Sequence, residues 1–230
     1  MNLGLLSLRH GGAIELGYFS GPIKAYALSA NVDAYIVSTE EGFSPLGSNL
    51  AFLSEDLGVP EEQLRQLANW NRFNNSRVSL VAIPSRRQNS KLRGVILAAC
   101  ESSEVYKQFS VPFYGRPSRD FYYNVSYEAY AYVARQWGAR NIALSHLSSC
   151  NRFHPDIATC NAEALAHHGE ACPGAINSLT FMGDTAICNE HLSSIALLNK
   201  ECSTEHRPIT VEIERRDGYE LIHLEWPKPS

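Results

Sequence analysis

The sequence predicts an α/β protein in which a mixed sheet is covered by helices on both faces. Short apolar, β-branched runs alternate along the chain with longer segments of helical spacing. Two runs, within "VDAYIVST" and "NIALSHL", are apolar almost throughout, as strands buried on both faces are. The chain closes with "ITVEIERRDGYELIHLEW", where Asp217-Gly218 is the favoured pair for a two-residue hairpin turn.

Each element follows from local chemistry. Leu3 to Leu8 and Ala13 to Phe19 read as strands separated by His10 and two glycines suited to a tight turn. "SGPIKAYALSA" offers Ser20 as an N-cap and Pro22 early in a short helix. In "SNLAFLSEDLG" Leu50, Leu53 and Leu57 share a helix face and Gly58 closes it, while "PEEQLRQLANW" opens a second helix on Pro60 and two acids. "RVSLVAIP" and "LRGVILAAC" are strands flanking the basic loop "SRRQNSK". Ser126 to Trp137 is amphipathic, with Tyr127, Tyr130 and Val133 or Ala134 on one face and Gly138 at its end. Asp156 to His168 is helical and closed by Gly169, "AINSLTFMG" is a strand, and "AICNEHLSSIALLNKEC" is a helix. The whole reads as one domain over residues 1–230, with its core at about 14–200 and the hairpin at 208–227.

With 230 residues and 44% hydrophobic content, the chain can bury a sizeable core. A net charge of -4 gives no general attraction to nucleic acid or anionic membrane, so no nucleic-acid partner is expected. Arg86, Arg87, Lys91 and Arg93 are local exceptions, read as a solvated loop. No run approaches a membrane span, and the N-terminal apolar run is too short for a secretion signal, so a cytoplasmic location is expected. In that compartment the six cysteines are reduced thiols or ligands.

The stretch "IALSHLSSCNRFHP" poses the functional question. It follows a buried strand and precedes a helix, the place where ligands sit in open α/β sheets. Three readings are open: a ligand cradle, a metal site of His146, Cys150 and His154, or a crowded connection. Cys150 beside His146 or His154 is also a candidate thiolate pair, because a neighbouring imidazolium lowers a thiol's pKa. Cysteines and histidines are dense from 146 to 206. Yet Cys188 and Cys202 lie at opposite ends of one helical pattern, ~20 Å apart, which is too far for one zinc ion. No metal and no cofactor is assigned.

Four stretches in order resemble the macro domain, the ADP-ribose-binding α/β module. "GPIKAYALSANVDAYIVST" is similar to its opening, "SPLGSNLAFL" to its glycine-rich segment, "LRGVILAAC" to an intervening strand, and "YEAYAYVARQWGARNIALSHLSSCNRFHP" to its helix, strand and second loop. The early stretch also resembles the macro-like N-terminal domain of leucyl aminopeptidases. The resemblance implies a three-layer α/β/α macro-like fold with a mixed central sheet, to which the C-terminal hairpin is added. It implies a nucleotide-derived, ADP-ribose-like or other small polar ligand held by Ile23, Ser38, Gly47, Ser48, Asn49, Ser148, Ser149, Cys150, Asn151, Arg152 and Phe153.

Several positions depart from the family pattern. Pro22 replaces the acid that reads adenine, and Ser38 to Glu41 replace the ribose-orienting Asn. Cys150 and Phe153 stand where glycines would let backbone amides approach phosphate, with Arg152 supplying a charged donor instead. Two alternatives to ligand binding stay open. One is a hydrolase using Cys150 as nucleophile or His146 as base. The other is a non-catalytic interaction scaffold whose aromatic segment "VPFYGRPSRDFYYNVSY" either meets a partner, covers the pocket as a lid or packs onto the following helix.

Overall fold

The computed structural model describes residues 2–8, 11–19, 31–39, 50–73, 78–88, 90–99, 119–145, 155–182 and 209–225. In chain order these form β1 (Asn2–Ser7), β2 (Ala13–Phe19), β3 (Ala34–Thr39), α1 (Leu50–Leu57), α2 (Glu61–Phe73), β4 (Val78–Pro84) and β5 (Gly94–Ala99). They continue with α3 (Arg119–Trp137), β6 (Asn141–Ser145), α4 (Pro155–Ala171), β7 (Ser178–Met182), β8 (Thr210–Arg216) and β9 (Tyr219–Glu225).

All nine strands join one sheet in the order β1-β2-β7-β6-β3-β5-β4-β9-β8. The five central strands from β2 to β5 are parallel, and antiparallel pairs flank them on both sides. Side chains alternate across the sheet with the period of two that the strand geometry requires. Ile36, Ile96, Leu144 and Phe181 face the layer of α3 and α4, while Tyr35, Val37, Val95 and Leu97 face the layer of α1 and α2. The result is the expected α/β/α sandwich with a mixed central sheet.

Three local expectations change. The helix expected from Ser126 begins at Arg119, because Tyr122, Val125, Ala129 and Val133 continue its buried face toward the N-terminus. Tyr122 and Tyr123 are therefore core residues rather than a lid, and Tyr123 donates to or accepts from His167 Nδ1 at 2.6 Å. Gly169 does not end α4, which runs on to Ala171. Its lack of a side chain serves packing instead, since a Cβ there would lie 2.9 Å from Leu8 and 3.0 Å from Ile14. The C-terminal hairpin forms as expected, with Gly218 at φ 84, and extends the sheet through antiparallel pairing of β9 with β4. The helices read in "SGPIKAYALSA" and "AICNEHLSSIALLNKEC" lie outside the described residues.

One carboxylate ties the centre of the sheet together. Asp33 Oδ2, just before β3, accepts from the backbone N–H groups of Arg140 and Asn141 at 2.8 and 2.9 Å and from Asn141 Nδ2 at 3.2 Å. The Asp33 N–H donates to the Asn141 carbonyl at 2.8 Å, and its own carbonyl accepts from Arg93 N–H at 2.6 Å. The starts of β3, β5 and β6 are thus locked to one another. Asp33→Ala should lower unfolding stability by about 1.5–3 kcal/mol, the range for hydrogen bonds to a charged group. Urea denaturation measures it, and an unchanged midpoint would show that the clamp is dispensable.

Candidate functional site

β3 and β6 are adjacent and parallel, with Ala34, Tyr35 and Ile36 opposite Ile142, Ala143 and Leu144. Their chains leave in opposite senses. After β3 the chain passes to α1 and α2 on one face and returns on the β5 side. After β6 it passes to α4 on the other face and returns on the β7 side. Between two such strands the connections diverge and leave a crevice outside the carboxyl ends, which is where open α/β sheets bind ligands. The segments that leave these two strands, 40–49 and 146–154, are the two that carry nearly all the residues expected to form the site.

Of those residues, Ser38 lies in β3 as its next-to-last residue, opposite Ala98 of β5. Ile23, Gly47, Ser48, Asn49, His146, Ser148, Ser149, Cys150, Asn151, Arg152 and Phe153 lie outside the described residues, as does His154. The structure fixes their flanks: Thr39 and Leu50 around the first segment, Ser145 and Pro155 around the second. Ser145 pairs with Met182, and Met182 with Phe19, so the edge of the crevice continues across β7 to β2. Among the described residues, no three His, Cys, Asp or Glu side chains converge as a metal site. Also among them, no helix is long and apolar enough to cross a membrane.

The second segment leads directly into α4, so the crevice depends on how α4 is seated. Its contact with α3 is partly polar. The buried Ser126 hydroxyl donates to Asn161 Oδ1 at 2.6 Å, and Tyr130 OH donates to the Asn161 carbonyl at 3.3 Å. Burial pushes the Tyr130 hydroxyl's pKa up, so it stays a neutral donor. Tyr127 stands edge-on to His168 with ring centroids 5.8 Å apart. His168 is fully buried, and neither ring nitrogen has a hydrogen-bond partner among the described residues; nor does Asn161 Nδ2. The sequence signalled this interface only weakly, as polar residues within apolar helix faces.

Burial, with a smaller contribution from Arg135, lowers the His168 pKa to about 4. A histidine in the unfolded chain titrates near ~6.5, so between those values the unfolded state holds the extra proton. Stability from this group is complete above pH ~6.5 and is lost as pH falls toward 4, by on the order of 3 kcal/mol at most. Unfolding free energies of wild type and His168→Leu, measured from pH 7 to pH 4, should diverge in slope through that window. Parallel curves would mean that His168 takes up its proton equally in both states.

The fold defined by this crevice is macro-like. It matches the Trypanosoma brucei macrodomain in complex with ADP-ribose at TM-score 0.52 and 11% identity, over 78% of this chain and 68% of that chain. A point mutant of the Oceanobacillus iheyensis macrodomain matches at TM-score 0.51 and 8% identity, over 82% of this chain and 94% of that one. Tomato leucine aminopeptidase matches at TM-score 0.46 and 16% identity, over 79% of this chain and 35% of that one. No family model and no curated protein matches the sequence.

Proposed function

We propose that this chain is a ligand-binding module whose crevice between β3 and β6 takes an ADP-ribose-like nucleotide derivative. The observation that carries the reading is the divergence of the connections at the carboxyl ends of these two neighbouring parallel strands. The T. brucei macrodomain, which shares the fold, is found with ADP-ribose and with ADP. In this reading Ile23, Ser38, Gly47, Ser48 and Asn49 line one wall, and Ser148 to Phe153 line the other. The α4 N-terminus at Pro155 supplies the positive end of a helix dipole directly behind the second wall. Arg152 replaces glycine-loop amides as the phosphate donor, since a guanidinium can bind two phosphate oxygens at once.

A specific ligand stabilises the native state by mass action. ADP-ribose at millimolar concentration should raise the thermal midpoint by several degrees, and Arg152→Ala should abolish most of that rise. Cys150→Ala should leave it nearly intact if the crevice binds without reacting. No shift from ADP-ribose, ADP or related nucleotides would overturn the nucleotide reading.

A further inference from the structure

The opposite edge of the sheet carries a second surface. Here the amino ends of β3, β5 and β6 meet the carboxyl end of β4 and the β8–β9 turn. The fold brings cations from three separate segments to this edge. Arg140 precedes β6, Arg86, Arg87, Lys91 and Arg93 belong to the β4–β5 loop, and Arg215 and Arg216 end β8. Backbone contacts make them neighbours. Arg93 and Arg140 both bond Asp33 through their N–H groups, and Ser85 N–H donates to the Arg93 carbonyl at 2.7 Å. A side chain at Gly218 would run into the Arg86 guanidinium, which places Arg86 against the hairpin turn. From β6 to β8 the row spans ~24 Å at the usual distance between strands.

Pairing separates these cations into two groups. Arg215 bonds Glu220 at 3.0 Å and Arg216 bonds Glu214 at 2.8 Å. Arg86, Lys91, Arg87, Arg93 and Arg140 are exposed and form no ion pair with a carboxylate among the described residues. Arg86 meets the neutral Gln63, and Lys91 the neutral Asn31. The acids nearby are partly engaged: Asp33 accepts three protein hydrogen bonds, and Glu214 and Glu220 are paired. Asp56, Glu61, Glu62 and Asp217 border the row. Burial raises the Asp56 pKa, and the nearby Arg87 only partly offsets that rise. The seven cations and seven carboxylates of this edge balance in number, so what distinguishes it is the five exposed cations that no carboxylate pairs with among the described residues, and not a net charge.

At the hairpin end the row runs into a cleft of about 310 Å³, lined by Pro84, Tyr132, Gln136, Trp137, Arg215 and Glu220 among others. That is the low end of the range for small-ligand sites. Trp137 and Tyr132 are perpendicular at a centroid distance of 5.4 Å, and Tyr132 OH bonds Glu220, which holds the cleft's shape. Trp137 is half-buried, seated over Gly94, where a Cβ would lie 2.7 Å from its ring.

We propose that this edge binds single-stranded nucleic acid, with backbone phosphates on Arg140, Lys91, Arg93, Arg86 and Arg87 and one base in the cleft beside Trp137. A row of guanidinium groups leading to an aromatic recess is the arrangement that tracks a phosphate chain and stacks an unpaired base. A membrane surface fits less well, because among the described residues the exposed large apolar side chains are only Leu5, on β1 at the far side of the sheet, and Val211 and Ile213, on β8, and none lies between the five unpaired cations. The site is independent of the crevice, at the other end of the same strands.

The test is fluorescence anisotropy of labelled single-stranded DNA and RNA of ~12 nucleotides against the full chain at about 50 mM salt. Micromolar binding is expected, with affinity falling with salt at a log–log slope of roughly -3.5, from about 0.7 for each of the five cations that meets a phosphate. The triple variant Arg87→Glu, Arg93→Glu, Arg140→Glu should weaken binding more than about tenfold. None of those three side chains has a hydrogen-bond partner to lose among the described residues, and an unchanged thermal midpoint would show that the variant is folded. Tryptophan fluorescence should change on binding in wild type and less in Trp137→Phe.

Three results would overturn the proposal. They are no binding at low salt, displacement of the oligonucleotide by ADP-ribose, and equal affinity for inorganic polyphosphate or phosphatidylserine vesicles. Displacement by ADP-ribose would put the oligonucleotide in the crevice and leave the function proposed above standing. Failure of ADP-ribose to bind would leave the nucleic-acid edge untouched.

Discussion

The placement of β3 directly beside β6 is the constraint on which the rest of the molecule depends, and the Asp33 carboxylate enforces it. Its acceptor oxygen meets two successive backbone N–H groups at the start of β6, so a shift in register by one residue would break the set. Asn141 extends the lock to β7, because its side-chain oxygen accepts from Ser178 at 3.0 Å. With the amino ends pinned, the carboxyl ends of β3 and β6 emerge side by side. Only then does the divergence of their connections open a crevice.

The two helical layers hold that crevice in different ways. α1 and α2 seat against the sheet through Leu50, Leu53, Leu57, Leu64 and Leu67, an almost wholly apolar contact. α3 and α4 also bury apolar residues, but their shared face includes Ser126, Asn161, Tyr130, Tyr127 and His168. Buried polar groups demand particular partners, so such an interface fixes one orientation more sharply than apolar packing alone. The cost is His168 and Asn161 Nδ2, which give up water without gaining a described protein partner. α4 begins at Pro155, directly after the segment that leaves β6, and it carries the buried His168 whose pKa burial lowers.

The two ends of the sheet differ chemically. At the carboxyl end β3, β5 and β6 finish in small residues, Ser38, Thr39, Ala98, Ala99 and Ser145, while β7 and β2 finish in Met182 and Phe19. At the amino end the connections are short and basic, and the added hairpin supplies a further wall. β8 is exposed along its whole length, so the hairpin does little for the core beyond what β9 buries through Leu221, Ile222 and Leu224. Its clearer structural effect is to build the cleft against Tyr132 and Trp137.

The sequence by itself determined the elements, because their signals are local. Leu50, Leu53 and Leu57 mark a helix face, the apolar runs at 34–39 and 141–145 mark buried strands, and Asp217-Gly218 marks a turn. It misjudged what depends on distant neighbours. The α3 helix starts earlier than its periodicity after Ser126 suggested, since Tyr122 and Tyr123 find cover only in the folded layer. Gly169 was legible as a helix end but serves a close approach to Leu8 and Ile14, residues far away along the chain. The candidate crevice was legible in part, through segments that follow two buried strands, but that those strands are neighbours was not. The tertiary structure alone decided that adjacency, the joining of the hairpin to β4, and the gathering of Arg140, Arg93, Arg86 and Arg215 on one edge. Pairing between strands is set by hydrogen bonds across large sequence separations, and no local pattern of residues encodes them.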